Sequence, residues 1–459
     1  MKTLHMVSLG CPKNLVDSEV MLGVLTGYGM RVVQEPAEAD VLLVNTCGFI
    51  RSAVEESIDE ILGLAAFKKK GGDKLLVVTG CLVQRYGKRL REELPEVDLF
   101  VGTDEYDRID KLLERVLHGN RPLVTVGSRP TGIMDSRVAR RAATPPHRSY
   151  LKVTEGCDNR CTYCLIPRLR GPLRSRSIDD LVVEAVRLEA AGVKELTLIA
   201  QDLTAYGDDS GGGERLPLLL EALHQRTAIP WLRLLYLYPD KITRELLSVI
   251  AASPRILPYF DIPIQHVSSR VLRRMNRRYD RSTLERLLQT IRELLPEAAL
   301  RTTLMVGFPG ETEEDFNELV DFLRIHKLDH VGVFRYEDEE ECAAHGLDGK
   351  CSEELKEERF DQLMRVQAEI SAGQQQRYVG TTLEVLVEGV SRESDLLLEG
   401  RTRFQAADID GCVYISRGTA SPGDLVEVRI TAAHPYDLVG EITTQEEEEA
   451  GGGVGLLRP

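Results

Sequence analysis

The sequence predicts a three-part α/β protein: a doubly wound parallel α/β unit, an incomplete parallel barrel of six strand–helix units, and a small β-barrel. Short β-branched runs alternate with amphipathic helical patterns over the first 120 residues, and the alternation returns from residue 149 to about 337. From residue 377 the pattern changes to short β runs separated by turns. A chain of 459 residues has room for about three domains of ordinary size.

The first unit is predicted to span residues 1–120. Its strands are expected at residues 4–9, 41–44, 75–78 and 99–101, and its helices at 14–25, 53–67, 83–94 and 109–117. Strand–helix alternation of this kind is typical of a parallel sheet covered by helices on both faces. Residues 121–146, rich in Pro, Gly, Ser and Arg, are interpreted as a linker.

The second unit is predicted at residues 147–376. Its strands are expected at 151–153, 196–199, 232–237, 259–262, 302–306 and 331–334, with helices at 178–191, 284–295 and 313–325 and a long exit helix at 354–376. Six such units suggest a barrel that does not close. The third unit, residues 377–445, has β runs at 383–387, 396–398, 413–415 and 425–430, which suits a barrel of OB-like size. The Glu- and Gly-rich tail, 446–459, is expected to be disordered.

Three cysteines of the second unit form a CxxxCxxC run: Cys157, Cys161 and Cys164. Three thiolates so close can bind three corners of one iron–sulfur cube, which leaves the fourth iron open. An open metal position is typical of a catalytic site. For this spacing the candidate that fills it is S-adenosylmethionine. Because the run follows the first barrel strand, we expect it on the face where barrel active sites lie.

Zinc and simple electron transfer are the alternatives for this run. Zinc ligands usually come as CxxC pairs with a second pair downstream, and no such set is present in the sequence. Electron-transfer ferredoxins use runs of four cysteines.

Three cysteines of the first unit occupy equivalent positions. Cys11, Cys47 and Cys81 each follow a predicted strand, about one strand–helix unit apart. The carboxyl ends of parallel strands meet at one edge of the sheet, so these thiols are expected to converge there. They predict a second three-thiolate cluster, although small buried cysteines also suit strand ends by chance.

Composition restricts the class of protein. The nine cysteines do not resemble a secreted disulfide pattern, and the amino-terminal segment lacks the apolar stretch of a signal peptide. No segment approaches the ~20 apolar residues of a membrane span. A cytoplasmic protein is therefore expected. The net charge of −15 argues against binding nucleic acid over the whole surface.

Two charged segments have ambiguous roles. The acidic run 337–341, with Cys342 and Cys351 nearby, is interpreted as a solvated loop with free thiols rather than a third metal site. Six arginines crowd one segment, where they could bind RNA phosphates, lie on a solvated helix face or pair with acidic neighbours. These are Arg270, Arg273, Arg274, Arg277, Arg278 and Arg281.

Taken together, these features resemble the radical S-adenosylmethionine methylthiotransferases over nearly the whole chain. The cysteine-bearing first unit, the CxxxCxxC barrel and a small β-barrel similar to the TRAM domain are three independent parts of the resemblance. Within the family, Gly10-Cys11-Pro12-Lys13-Asn14 and the ending His434-Pro435-Tyr436-Asp437 are similar to the branch that modifies an aspartate of small-subunit ribosomal protein twelve. Enzymes that modify tRNA adenosines tend to have Gly-Cys-Gln-Met-Asn instead.

The resemblance implies a mechanism and its residues. Cys157, Cys161 and Cys164 would hold a [4Fe–4S] cluster that cleaves S-adenosylmethionine reductively, and Cys11, Cys47 and Cys81 a second cluster that carries the sulfur to be delivered. A methylthio group would then replace a hydrogen on the aspartate β-carbon. The expected contacts of S-adenosylmethionine, chosen as residues near strand ends of the barrel, are Gln201, Asp202, Tyr236, Pro263, Gln265, Arg301 and Thr302. The turn 307–311 is expected to be structural.

The expected partners follow from charge and chemistry. The third unit carries six basic and eleven acidic residues, which suits a very basic ribosomal protein better than a phosphate backbone. An electron donor such as flavodoxin or ferredoxin is implied. A tRNA adenosine substrate, favoured by the arginines, and a non-catalytic iron–sulfur or electron-transfer module are the alternatives.

Overall fold

The computed structural model describes residues 2–70, 73–127, 130–211 and 215–443, so the predicted tail at 446–459 lies outside the described residues. Three units follow one another as predicted: a parallel sheet covered by helices, six parallel barrel strands, and a closed five-stranded barrel. The three-part α/β architecture is thereby confirmed. Within the described ranges, no helix combines the length and the apolar character needed to cross a membrane.

Six parallel strands form the sheet of the first unit, in the order β2-β1-β3-β4-β5-β6. The strands are β1 (Thr3–Ser8), β2 (Arg31–Val32), β3 (Val41–Thr46), β4 (Leu75–Gly80), β5 (Leu99–Val101) and β6 (Leu123–Thr125). The helices are α1 (Pro12–Gly27), α2 (Arg51–Lys70), α3 (Cys81–Glu93) and α4 (Ile109–Leu117). Every residue of β3 and β4 is buried, because helices cover both faces of the sheet.

The first unit extends past the predicted boundary at residue 120. Strand β6 lies inside the predicted linker and pairs with β5, with Leu99 opposite Leu123. A strand of three half-buried residues at a sheet edge is too short to show the alternation of apolar and polar residues from which strands are predicted. Residues 139–144 of the linker pack on α1, where Arg140 pairs with Glu19 at 2.5 Å and with Glu184 of the second unit at 2.6 Å.

The second unit is the open barrel. Its strands are β7 (Arg148–Lys152), β8 (Thr154–Glu155), β9 (Arg174–Ser175), β10 (Glu195–Ile199), β11 (Trp231–Leu234), β12 (Tyr259–Asp261), β13 (Ala299–Val306) and β14 (His330–Arg335). Its helices are α5 (Ile166–Leu169), α6 (Ile178–Ala190), α7 (Leu216–Arg226), α8 (Arg244–Ala252), α9 (Ser269–Arg274), α10 (Arg281–Leu294), α11 (Glu313–His326) and α12 (Glu353–Gln375).

Parallel pairing orders the barrel strands as β7-β10-β11 and β12-β13-β14. The amide of Leu237 donates to the carbonyl of Asp261 at 2.9 Å and so connects the two groups. The short strands β8 and β9 pair antiparallel outside them.

Alternate residues of the barrel strands belong to two different cores. Leu232 of β11 and Leu300 of β13 pack in the core beneath the surrounding helices. Their neighbours Trp231 and Ala299 belong to a second core, which also contains Val16 of α1 and Leu386 of the third unit. This division is the period-two pattern of a strand. The first and third units therefore both contribute to the filling of the barrel.

The third unit is a closed barrel in the order β15-β16-β17-β19-β18. Its strands are β15 (Thr382–Val390), β16 (Leu398–Thr402), β17 (Val413–Arg417), β18 (Leu425–Ala433) and β19 (Leu438–Ile442). Strand β19 is absent from the predicted strands. It follows the His434-Pro435 turn and closes the barrel by pairing with both β17 and β18.

Buried charges join the third unit to the amino-terminal ends of the barrel strands. Glu195, the first residue of β10, accepts from Arg233 at 2.5 Å and also pairs with Arg401 of β16. Burial alone would raise the pKa of Glu195, but Arg401 and Arg233 hold it at about 2. The carboxylate is thus ionised and pairs with two buried guanidinium groups, of which Arg401 has a second acidic partner in Glu388.

Glu195→Ala is expected to lower the free energy of unfolding by about 3–5 kcal/mol, because it leaves the buried charge of Arg233 without its acidic partner. Glu245→Ala is the matched control, since Glu245 pairs with Arg215 at 2.9 Å with both side chains about half exposed. That change should cost less than about 1 kcal/mol. Thermal unfolding of both variants measures the difference. Equal shifts in the unfolding midpoint would contradict the role given to Glu195 between the second and third units.

Candidate functional site

The N-terminal triad, defined as Cys11, Cys47 and Cys81, lies at one edge of the first sheet. Strands β1, β3 and β4 are neighbours, and each of the three cysteines comes shortly after the end of one of them. The backbones approach closely: a Cβ on Gly10, whose φ is +90°, would lie 3.4 Å from the Cys47 Sγ. The three thiols are free and are brought to the same edge.

Asn14 and Arg170 fix the surroundings of this triad. The Asn14 amide donates to the carbonyl oxygens of Leu9, at 3.0 Å, and Thr46, at 2.9 Å. Arg170 enters from the barrel unit, donates to Asn14 Oδ1 at 2.5 Å and hydrogen-bonds the Cys81 thiol. Burial raises the pKa of Cys81 to about 12, and Arg170 opposes that shift. A residue of the second unit thus stabilises the thiolate form of a cysteine in the first.

The Arg170 charge is itself neutralised by carboxylates. Asp17 accepts from Arg170 at 2.6 Å, Glu155 lies at 3.4 Å, and Lys152 pairs with both of these acids. All four side chains are almost completely buried. The first and second units therefore meet at a compensated cluster of four charges beside Cys81.

The barrel triad, defined as Cys157, Cys161 and Cys164, lies in the loop between β8 and α5. The Cys157 amide donates to the Gly171 carbonyl at 3.1 Å, and the Cys164 amide to the Cys161 carbonyl at 3.1 Å. The loop starts at Gly156, which has φ +73° and lies so close to the Pro172 carbonyl that a Cβ there would overlap it. Burial raises the pKa of Cys157 to about 11 and raises that of Cys164 further.

Side chains from other barrel loops hold this loop in place. Asn159 donates to Asp202 at 2.8 Å, and Thr162 donates to the Arg274 carbonyl at 3.0 Å. Arg277 Nη1 lies 3.5 Å from Cys161 Sγ. The donor set is therefore three free thiols on an ordered loop beside a cation, which fits a cluster bound by thiolates.

Among the described residues, no three His, Cys, Asp or Glu side chains are arranged to hold a single metal ion. A cubane cluster makes a different demand, because each thiolate binds a different iron atom. Its ligands must surround a volume rather than one point.

A small apolar cluster connects the surroundings of the two triads. Cys81 packs with Leu165, Leu169 and Cys342, and Phe49 packs against them. Leu165 directly follows the last cysteine of the barrel triad. A thiol of the N-terminal triad therefore shares a buried cluster with the segment that carries the barrel triad.

The expectation of a solvated loop at 337–351 is wrong for Cys342, which is buried. Glu339 and Glu341 both pair with Arg85 of α3, and Glu337 accepts from the Arg51 amide at 2.7 Å. Glu339 and Glu341 face the first unit because Arg85, distant in sequence, pairs with both, and a backbone amide of the same unit binds Glu337. Cys351 is half-buried, and both thiols are free.

Five of the seven expected cofactor contacts follow barrel strands. Gln201 and Asp202 come after β10, and Asp202 is buried beside the barrel triad. Pro263 and Gln265 follow β12, and the Pro263 carbonyl accepts from Arg277. Tyr236 follows β11.

Tyr236 also meets the first unit. It has φ +66°, and the Lys13 ammonium lies 3.3 Å from the centre of its ring. Its amide donates to Asp261 at 3.0 Å. Lys13 is two residues from Cys11, so Tyr236 lies between the N-terminal triad and the barrel.

The other two expected cofactor contacts, Arg301 and Thr302, do not follow a barrel strand. Strand β13 starts at Ala299, before the predicted start at residue 302, so both residues are inside the strand rather than at its end. Arg301 pairs with Asp261 at 2.8 Å and with Asp410 of the third unit at 3.4 Å. Thr302 donates to the Ile262 carbonyl at 2.7 Å and lies beneath the barrel helices.

The six arginines of the arginine-rich segment differ in exposure and in their partners. Arg270, Arg274 and Arg281 pair with Asp315, Asp348 and Glu285, respectively. Arg273 and Arg278 are exposed. Arg277 reaches the barrel triad, a role that its place in a run of arginines did not reveal.

Family models match each of the three units. The description "Uncharacterized protein family UPF0004" covers residues 3–102, the radical SAM superfamily residues 151–323, and the TRAM domain residues 379–443.

Solved structures support the fold. The chain resembles the radical S-adenosylmethionine methyltransferase TsrM from Kitasatospora setae, with a TM-score of 0.56 and 16% identity, over 72% of this chain and 74% of that one. It also resembles the cobalamin-dependent enzyme OxsB, with a TM-score of 0.53 and 13% identity, over 80% of this chain and 56% of that one.

Much closer relatives extend over the whole chain. A protein of Desulfotalea psychrophila is 52% identical over 96% of this chain and 99% of its own length. A protein of Pelobacter propionicus is 49% identical over 96% and 97%. Both are named ribosomal protein uS12 methylthiotransferase RimO. The chain therefore belongs to the RimO family of methylthiotransferases, and it is an enzyme of the radical SAM superfamily.

Proposed function

We propose that this enzyme inserts a methylthio group at the β-carbon of an aspartate in ribosomal protein uS12, using two [4Fe–4S] clusters and S-adenosylmethionine. One observation carries the proposal. Two cysteine triads lie on adjoining units that share the buried cluster of Cys81, Leu165, Leu169 and Cys342, in a chain about half identical to relatives of that name.

The cysteines have separate tasks in this proposal. Cys157, Cys161 and Cys164 hold the radical-generating cluster, and Cys11, Cys47 and Cys81 hold the second cluster. When bound, the first cluster supplies the electron that cleaves S-adenosylmethionine, and the second supplies an open iron for the sulfur to be transferred. Each triad provides three thiolates and no fourth cysteine of its own, which leaves one corner of each cluster open.

The remaining side chains orient the cofactors and exclude water. Gln201, Asp202, Tyr236, Pro263 and Gln265 are the proposed contacts of S-adenosylmethionine near the carboxyl ends of the barrel strands. Arg301 and Thr302 complete the proposed set, although their contacts with Asp261, Asp410 and Ile262 support a positioning role better.

Aromatic rings pack beside the barrel triad, whose three cysteines are half-buried. Tyr163, within the cysteine run, packs edge-on against Phe308, with 6.3 Å between ring centres, and Phe308 packs in the same way against Tyr336 at 5.2 Å. Phe308 is completely buried. A dry wall of this kind suits chemistry in which solvent would quench a reactive species.

The charge of the third unit supports a basic polypeptide as substrate. Of its six arginines, Arg401 is buried against Glu195 and Glu388, and Arg377 pairs with Asp329. Three of its eleven acids, Glu388, Asp408 and Asp410, also pair with arginines of the second unit, so eight acids and four arginines lie outside these pairs and the surplus remains acidic. An acidic surface is complementary to a ribosomal protein and repels an RNA backbone. The electron donor is proposed to be a flavodoxin or a ferredoxin.

Peptide mass spectrometry of ribosomal proteins from cells with and without this gene tests the substrate. Loss of a methylthio mass from an aspartate of uS12 is the expected result. tRNA nucleosides are analysed in parallel. Loss of a methylthio group from a tRNA adenosine, with uS12 unchanged, would refute the proposed substrate and favour the exposed arginines Arg273 and Arg278 as an RNA contact.

Replacement of each triad is expected to have a different effect. The Cys157→Ala, Cys161→Ala, Cys164→Ala variant should lose cleavage of S-adenosylmethionine to 5′-deoxyadenosine. The Cys11→Ala, Cys47→Ala, Cys81→Ala variant should keep cleavage and lose methylthio transfer. Cys412→Ala, in the third unit, is the control and should keep both. Chromatography of 5′-deoxyadenosine measures cleavage, and mass analysis of a uS12 peptide measures methylthio transfer. Methylthio transfer by the variant that lacks Cys11, Cys47 and Cys81 would disprove the role of the N-terminal triad.

A further inference from the structure

We propose that Arg277 sets the reduction potential of the cluster held by the barrel triad, making that cluster easier to reduce. The inference rests on the proposed function, because it requires a cluster at Cys157, Cys161 and Cys164. It concerns a side chain that touches a cluster ligand, so Arg277 is a tuning residue rather than a catalytic one.

The position of Arg277 is fixed by its other hydrogen bonds. Its Nε donates to the Tyr279 hydroxyl at 2.7 Å, and that hydroxyl donates to the Ile264 carbonyl at 2.8 Å. Its Nη2 donates to the Pro263 carbonyl. The remaining arm, Nη1, lies 3.5 Å from Cys161 Sγ. A planar guanidinium with two arms fixed can direct the third at one sulfur atom.

Two aromatic rings enclose the guanidinium. Its carbon lies 4.3 Å from the centre of the Tyr238 ring and 5.1 Å from that of Tyr279. Both tyrosines are buried. Ring faces stabilise the cation without neutralising it.

Arg277 lacks the acidic partner that half of the arginine-rich segment has. Arg270, Arg274 and Arg281 each pair with a carboxylate. Within the described residues, Arg277 forms no ion pair with Asp or Glu. The comparison with Arg170 is closer still, since Arg170 contacts the other triad but is neutralised by Asp17 and Glu155. Of these two arginines, only the one beside the barrel triad has no carboxylate partner in the described part of the chain and keeps its full charge.

A full positive charge beside a thiolate ligand has a definite effect on the potential. Reduction adds one negative charge to the cluster, and a nearby cation stabilises the reduced state more than the oxidised one. Hydrogen bonds to cluster sulfurs act in the same direction. The cluster that must accept an electron therefore has the uncompensated guanidinium.

Potentiometric titration of the reconstituted enzyme, followed by electron paramagnetic resonance, tests this role. An added one-electron reductant supplies the electron, and the barrel cluster is recognised by the change that S-adenosylmethionine causes in its signal. In Arg277→Gln the midpoint should become more negative. A tenfold fall in the ratio of reduced to oxidised cluster at a fixed potential corresponds to a shift of about 59 mV. Arg277→Lys, which keeps the charge without the planar fork, should fall between that variant and the wild type.

Arg273→Gln is the matched control. Arg273 belongs to the same arginine-rich segment but is exposed, and its Nε donates only to the Ser269 carbonyl, at 3.1 Å. Its loss should leave the midpoint unchanged. If Arg277→Gln binds normal iron and sulfide with an unchanged midpoint, the proposal is overturned. An unchanged midpoint with weaker binding of S-adenosylmethionine would likewise overturn it and would assign Arg277 to the cofactor instead.

A second variant covers the case in which Arg277→Gln does not assemble a cluster. Tyr279→Phe keeps the ring and removes the hydroxyl that accepts from Nε, so the guanidinium loses one of its fixed arms. A negative shift of the midpoint is expected, and no shift counts against the proposal. Failure of the wild-type barrel triad to bind iron would be a different result, since it would refute the proposed function itself.

Discussion

Arg170 is the side chain on which the arrangement of the two cysteine triads depends. It belongs to the loop after the barrel triad, yet its guanidinium is completely buried between Asn14, Asp17 and the Cys81 thiol of the first unit. A buried charge without partners would cost several kcal/mol, so the first unit must present these groups at the correct place. The same contacts fix the distance between the loops that carry the two sets of thiols. Leu165 and Leu169, on the turn that leads to Arg170, fill the space between them.

The same principle joins the other parts of the molecule. Glu195 with Arg233 and Arg401, and Arg301 with Asp261 and Asp410, connect the third unit to the barrel. Each group places opposite charges from different units out of contact with water. Such contacts are specific because a displaced partner leaves an uncompensated charge, whereas apolar surfaces can slide. Polar interactions therefore help to fix the relative positions of the three units, which also share the apolar core around Val16 and Leu386.

The sequence was sufficient for the features that follow from chain periodicity. Alternation of strands and helices predicted the parallel sheet, and the topology of such a sheet predicted that Cys11, Cys47 and Cys81 meet at one edge. Charge pairing between residues distant in sequence gives no such signal. Arg85, in the first unit, pairs with Glu339 and Glu341. Cys342, next to them, is therefore buried in a segment whose composition predicted exposure to solvent. The start of β13 was missed because Ala298, Ala299 and Leu300 favour helix by intrinsic propensity, and pairing with β12 overrides that preference. A run of six arginines could not indicate that Arg277 alone among them contacts a cysteine.

The origin of Arg170 has a consequence for the order in which the protein matures during synthesis. The first unit leaves the ribosome before residue 170 does, and it then has a sheet edge with three cysteines but lacks the guanidinium that pairs with Asp17 and Cys81. Domains emerge and fold in order from the amino terminus. Asp17 remains an unpaired acid in that intermediate, and the edge stays open to solvent until the barrel loop docks on it. The sheet of the first unit can therefore fold on its own. The edge that carries the three cysteines is completed only when the second unit has been translated.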